Sequence, residues 1–262
     1  MEIVILPDAA AVGAAAAARM AAVVQRNPRA VLGLSTGSSP LGAYAALAER
    51  VRRGDLDLSQ ASAFALDEYV GLAPDSPQSY AATIAAEATG PLGLDPSRVH
   101  VPDGAADDLE AACDDYERRI REAGGVDVQL LGIGTNGHIG FNEPTSSLAS
   151  RTRIKTLAPR TRQDNARFFE GDLDAVPLHC ITQGLGTILE ARRLLLVAQG
   201  ESKAAAVAAA VEGPLTAMVP GSAMQLHRHA TVLLDEAAAS RLTLTDYYRF
   251  ATANQPAWQR VE

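Results

Sequence analysis

Cysteine is almost missing from this 262-residue chain: only Cys113 and Cys180 are present. Two cysteines exclude a disulfide framework and a cysteine-built zinc site. Aromatic residues are also scarce, at 5%, so the core has to be built from Ala, Val, Leu and Ile. No apolar run approaches the roughly 18 residues that a membrane-spanning helix needs. Basic charge is short too, with 23 Lys and Arg against 31 Asp and Glu and a net charge of −8. That balance argues against a protein whose main task is gripping nucleic acid or anionic membrane. The opening residues, MEIVILPDAA, lack a basic segment and read as a strand entering a turn, not as a signal peptide. A soluble cytoplasmic protein is expected. What is present is ordinary for a folded protein, 47% hydrophobic and 21% charged, at a length suited to one large domain or two small ones.

The scarcest charge is lysine. Of the 23 basic residues only Lys155 and Lys203 are lysines. In a chain rich in Arg, Ala, Gly and Pro this reads as a bias toward GC-rich codons. A lysine kept against that bias points to a site that wants a compact ammonium instead of a planar fork.

Along the chain, strand and helix alternate, with no internal repeat and no low-complexity linker. Strands are expected at Glu2–Leu6, Ala30–Leu34, Ala63–Leu66, Arg98–Val101, Val126–Ile133, Arg193–Ala198 and Thr231–Leu234. Helices are expected from Asp8, a capping residue, to about Gln25, from Pro40 to about Arg53, and over 80–89, 107–123, 185–191, 202–212 and 245–253. Strands separated by helices of this length imply βαβ units and a mostly parallel sheet, buried on both faces. The fold class is therefore α/β: a Rossmann-like, doubly wound sheet with helices on both faces. Ligands of such sheets bind beyond the carboxyl ends of the strands, so those loops carry the functional candidates.

Five loops stand out. Ser35-Thr36-Gly37-Ser38-Ser39 lies between a strand and a helix starting near Pro40, where hydroxyls and unpaired N–H groups favour an anion. It has neither the Walker lysine nor the dinucleotide glycine spacing. Asp67-Glu68 ends a strand; one carboxylate could serve as a base, although a bare pair reads more simply as a turn cap at Asp67 with Glu68 in water. Gly132–Gly140 holds four glycines in nine residues and carries His138, with Glu143 five residues on. Asp67, His138 and Glu143 lack the paired-histidine spacing of a zinc hydrolase, so no metal is expected. His100, His179, His227 and His229 read as structural or exposed. Arg151, Arg153 and Lys155 alternate, so on an extended segment they share a face, with Arg162 and Arg167 beyond them. Lys203 follows Gly200-Glu201-Ser202 at a helix start, where positive charge disfavours the helix but suits phosphate capture.

These segments together resemble the glucosamine-6-phosphate deaminase (glucosamine-6-phosphate isomerase) family. The likeness runs through Leu34–Pro40, Asp67–Leu72, the block Gly137-His138-Ile139-Gly140-Phe141-Asn142-Glu143-Pro144, the run 146–157, Asn165–Phe169, Ala209–Gly213 and Gln225–His227. It covers nearly the whole chain in order, as a single domain over 1–262. It implies an enzyme, both hydrolase and isomerase in character, that turns glucosamine 6-phosphate and water into fructose 6-phosphate and ammonia without metal or cofactor. The resemblance implies Asp67 as the base between C2 and C1, His138 as the ring-opening group and Glu143 as the carboxylate that orients it. The phosphate would sit on Thr36, Gly37, Ser38 and Ser39 with Arg167 and Lys203, and the segment near 155–180 would form a lid. Ser146, Arg153 and Lys155 match the positions at which allosteric members bind N-acetylglucosamine 6-phosphate at a subunit interface. The family includes hexamers and monomers, so a homo-oligomer of six chains or fewer is compatible with it. Many members carry Asp where this chain has Asn136, which leaves Glu143 to stabilise an imidazolium alone and puts the pH profile in question. Two other readings compete: a 6-phosphogluconolactonase-like hydrolase, which gives no account of Asp67-Glu68-Tyr69, and a non-catalytic sugar-phosphate sensor, for which no basic recognition helix is visible.

Overall fold

The computed structural model describes residues 1–73 and 75–256; Pro74 and the last six residues of the expected 1–262 domain lie outside the described residues. In chain order the elements are β1 (Glu2–Leu6), α1 (Ala9–Arg26), β2 (Val31–Leu34), α2 (Leu41–Arg52), β3 (Ser62–Ala65), β4 (Asp67–Tyr69), α3 (Tyr80–Ile84), α4 (Gly90–Leu92), β5 (Val99–His100), α5 (Leu109–Glu122), β6 (Val128–Leu131) and β7 (Arg153–Thr156). They continue with α6 (Pro159–Asn165), β8 (His179–Thr182), α7 (Leu185–Leu189), β9 (Leu194–Ala198), α8 (Ala204–Val211), β10 (Ala230–Asp235) and α9 (Thr245–Ala253).

Seven strands form one parallel sheet in the order β1-β10-β9-β6-β2-β3-β5. Successive residues of its strands feed two separate cores, as a strand's period of two requires. Leu194, Leu196 and Ala198 face one core with Tyr116 of α5, Ile188 of α7 and Val207 of α8. Leu195 and Val197 face the other with Met20 of α1 and Leu47 of α2. Both faces are covered, which is why these strands read as unbroken apolar runs. Asp8 caps α1 by accepting a hydrogen bond from the Ala11 N–H at 2.8 Å. Close packing of α1 on α2 depends on Gly13, where a Cβ would stand 2.6 Å from the Gly42 carbonyl carbon.

The chain runs outward from β2 to β3 and β5, then returns to β6 on the other side of β2. The order therefore reverses between β2 and β6, and their carboxyl ends open side by side, which is where this class of sheet binds ligands.

The expected mostly parallel, Rossmann-like sheet is present, and a second, three-stranded sheet lies beside it. After β3 the chain leaves the parallel sheet at Leu66, and β4 pairs antiparallel with β8, itself paired with β7. Asp67 lies opposite Thr182, and Lys155 opposite Cys180. Tyr69, Phe141, Leu157, Phe169 and Val176 make a third small core around this sheet. Asp67 thus begins a strand of the second sheet instead of capping a turn. Among the described residues no helix is long and apolar enough to cross a membrane.

Candidate active site

The loop after β2, Asp67, the glycine-rich loop after β6, the turn after α6 and the turn after β9 surround one cleft of about 130 Å³. Of the residues expected to act together, Thr36, Gly37, Ser38, Ser39, Asp67, His138, Arg167 and Lys203 all line it. Asn136 and Glu143 stand behind His138 instead of in the cleft wall.

Asp67 is buried at 6% exposure. Burial, then the neighbouring Glu68 charge, pushes its carboxyl up to about 8, against the lowering effect of the Phe141 N–H. Glu68 is not in water, as a bare acidic pair suggests. It is 4% exposed and accepts hydrogen bonds from the N–H groups of Tyr69 at 2.7 Å, Tyr80 at 2.9 Å and Ala81 at 2.8 Å. It clamps the start of α3 and fixes β4, and with it Asp67, against the cleft.

His138 lies flat on Gly134. A Cβ at Gly134 would stand 2.2 Å from the ring's Cε1, so only glycine leaves room for this imidazole. The Gly134 N–H also donates to the His138 carbonyl at 2.9 Å. The buried Nδ1 has no hydrogen-bond partner and faces Glu143 Oε2 at 3.7 Å. Asn136 bridges the two: its Nδ2 donates to Glu143 Oε2 at 2.8 Å and its Oδ1 accepts from the His138 N–H at 3.2 Å. Glu143 Oε1 accepts from the Ala158 N–H at 3.1 Å. Burial alone would raise the Glu143 carboxyl, but its contacts with His138 and Asn136 contribute to holding it down at about 2. Glu143 is therefore a fixed anion aimed at the imidazole.

The same cleft is lined by two cations, Arg167 and Lys203. Burial, then the nearby Arg167 charge, pulls the Lys203 ammonium below its ordinary value, against the pull of Asp164. Among the described residues neither Lys203 nor Arg167 makes an ion pair. The Arg167 guanidinium rests over the Phe168 ring, 4.7 Å from its centroid. With Ser38 and Ser39, just after β2, these two residues line the same cleft.

Several cleft residues were not visible as a group in the sequence. Tyr80 lines the wall and stacks on Phe141 with centroids 5.8 Å apart. Asn165 of α6 donates to the Tyr69 hydroxyl at 2.9 Å, and Thr135 donates to Asp164 of α6 at 3.0 Å. These bonds tie α6 to both walls; no sequence signal marks them, because each joins distant loops.

Ser146, Arg153 and Lys155 do not line the cleft. Arg153 and Lys155 share the more buried face of β7, as alternation requires. Arg153 Nη1 donates to Asn142 Oδ1 at 2.8 Å, while its Nη2 and the Ser146 Oγ are buried without partners. Arg151 does not join that face. It precedes β7 and pairs with Glu117 and with Glu190, the latter at 2.6 Å. Among the described residues no cluster of His, Cys, Asp and Glu suits a metal.

A reversal point in a parallel sheet, with a buried carboxylate, an imidazole and two cations lining one cleft, is the arrangement of an α/β enzyme. The chain belongs to the glucosamine-6-phosphate isomerases/6-phosphogluconolactonase family, whose pattern matches residues 8–233. It is 58% identical over 261 residues to a glucosamine-6-phosphate deaminase of Streptomyces coelicolor, covering 100% of both chains. A solved monomeric glucosamine-6-phosphate deaminase superposes with a TM-score of 0.90 at 42% identity, over 92% of this chain and 100% of the other. A 6-phosphogluconolactonase from Trypanosoma cruzi shares the fold, with a TM-score of 0.75 at 18% identity over 92% and 97% of the two chains.

Proposed function

We propose that this chain converts glucosamine 6-phosphate and water to fructose 6-phosphate and ammonia, an isomerisation coupled to hydrolytic loss of the amine. The observation that carries the reading is the placement of Asp67 and His138 in one cleft with Ser38, Ser39, Arg167 and Lys203. The phosphate sits on the cations and hydroxyls, and its binding energy positions the sugar. His138 moves a proton from O1 to O5, which opens the ring; the anionic Glu143 holds the imidazole and stabilises its charged form. Asp67 takes the proton from C2 and returns it to C1. The resulting imine at C2 adds water and expels ammonia. The substrate's own ammonium, brought beside Asp67, draws the raised carboxyl pKa down and leaves the base charged when it is needed.

Lactone hydrolysis fits less well. It needs no base at a carbon-bound proton, so it leaves Asp67 and its clamp by Glu68 without work. The deciding assay is ammonia release from glucosamine 6-phosphate set against hydrolysis of 6-phosphogluconolactone; lactone hydrolysis alone would overturn the proposal.

The same reading makes the segment near 155–180 a lid over the substrate and places the enzyme in the cytoplasm. It also makes Ser146, Arg153 and Lys155 an effector site for N-acetylglucosamine 6-phosphate in a homo-oligomer. The unpartnered Ser146 Oγ and Arg153 Nη2 support that second site, and Asn142 links Arg153 to the loop of His138. A substrate titration with and without that ligand, repeated with Lys155→Ala, tests it; a curve unmoved by the ligand in both proteins leaves the second site empty.

A further inference from the structure

The amino-terminal end of the parallel sheet, opposite the end that opens into the cleft, carries an arginine groove that the reaction does not use. Strand β9 is preceded by Arg193 and β10 by Arg228-His229, and the Leu194 N–H donates to the His229 carbonyl at 3.0 Å, so the two strand starts are locked side by side. Arg19 and Arg26, seven residues apart and so on one face of α1, reach the same place. These four arginines line a groove of about 620 Å³, within the range of about 300–1,000 Å³ typical of small-molecule sites.

Among the described residues the charge there is not balanced. Among the described residues Glu2 is the one carboxylate lining the groove, and it is already engaged by the Thr231 hydroxyl at 2.9 Å and by Gln255. It lies 3.7 Å from Arg19, whose other contact is a long 3.4 Å bond to the Ala15 carbonyl. The side chains of Arg26, Arg193 and Arg228 make no hydrogen bond or ion pair among the described residues. Elsewhere in this acidic chain Arg53, Arg118, Arg119 and Arg249 each find a carboxylate. Ala22, Val23 and Leu195 give the groove an apolar floor.

We propose that this groove binds a small molecule carrying two or more phosphate groups, as a site separate from the cleft. Guanidinium forks match pairs of phosphate oxygens, and several forks without a carboxylate among the described residues call for more charge than one phosphate supplies. The apolar floor accommodates the carbon part of such a ligand.

The test is calorimetric titration of the full-length chain with tripolyphosphate, ATP and inorganic phosphate, at low and raised salt. The expected result is that tripolyphosphate and ATP bind with Kd below about 1 mM at low salt and more weakly as salt rises. Arg193→Ala combined with Arg228→Ala lowers both affinities by about tenfold or more and leaves turnover of the substrate intact, since both side chains are exposed and far from the cleft. Arg167→Ala combined with Lys203→Ala leaves tripolyphosphate and ATP binding at this groove in place. Equal affinities for the two probes mean that the phosphates alone are read; tighter ATP means that the floor is used as well, and both uphold the site. No binding of either, loss of binding in the cleft variant instead of the basal one, or inorganic phosphate binding as tightly as tripolyphosphate overturns it.

Discussion

Asn136 Nδ2 donates a hydrogen bond to Glu143 Oε2 at 2.8 Å, the same oxygen that faces His138 Nδ1 at 3.7 Å. The amide therefore holds the carboxylate in place without adding charge of its own. Replacing it by a carboxylate removes the donor and puts a second anion beside the imidazole. Asn136→Asp is expected to move the pH–rate profile toward higher pH, because a second carboxylate favours positive charge beside it. A profile that superposes on wild type contradicts this role.

Asp67→Asn keeps the shape of the side chain and removes the proton acceptor. Turnover falls by about 10²–10⁴-fold, while substrate binding measured by calorimetry persists. Stability moves the other way. The folded carboxyl is pushed up to about 8 from an ordinary value of 3.8. Between those values the native protein holds a proton that the unfolded chain has released, so the wild type loses stability as pH rises through that window. Asn cannot ionise. The Tm of the variant should exceed that of wild type by a margin that widens from pH 5 to pH 8; a constant margin would remove the buried-charge explanation.

Gly134→Ala drives a methyl group into the His138 ring, 2.4 Å from both nitrogens. The backbone there does not need glycine's left-handed freedom, so the fold survives and the imidazole moves. A loss of about 10²-fold in kcat/KM with an unchanged circular dichroism spectrum is expected. Wild-type activity would mean that the ring position is not critical.

On the proposed reading, Arg167→Ala and Lys203→Ala remove charge that meets the substrate's non-reacting phosphate. KM should rise by about tenfold or more and kcat should fall less. A fall in kcat at constant KM would place these cations at the reacting end of the sugar.

Much of this molecule could be read from its residues, and the failures have physical causes. The buried parallel strands announce themselves, as in Leu194–Ala198, because both faces are apolar. The second sheet does not: β4 is three residues long, and two of them are carboxylates. Glu68 looks solvent-bound in sequence because nothing local shows that the first turn of α3, twelve residues on, supplies the N–H groups that allow its burial. Asp67, His138, Lys203 and the Ser38-Ser39 loop were legible because each follows a strand. Tyr80, Asn165 and Asp164 were not, because they enter the site from helices and meet it only through tertiary contacts.

On the proposed reading the cleft performs the deamination, with Asp67 as the base. The most direct measurement is steady-state ammonia release from glucosamine 6-phosphate by the wild type and by Asp67→Asn, with unphosphorylated glucosamine as the control substrate. Ammonia from the phosphorylated sugar alone, abolished in the variant, is the predicted result. Equal release from both sugars, or a variant with wild-type kcat, would contradict it.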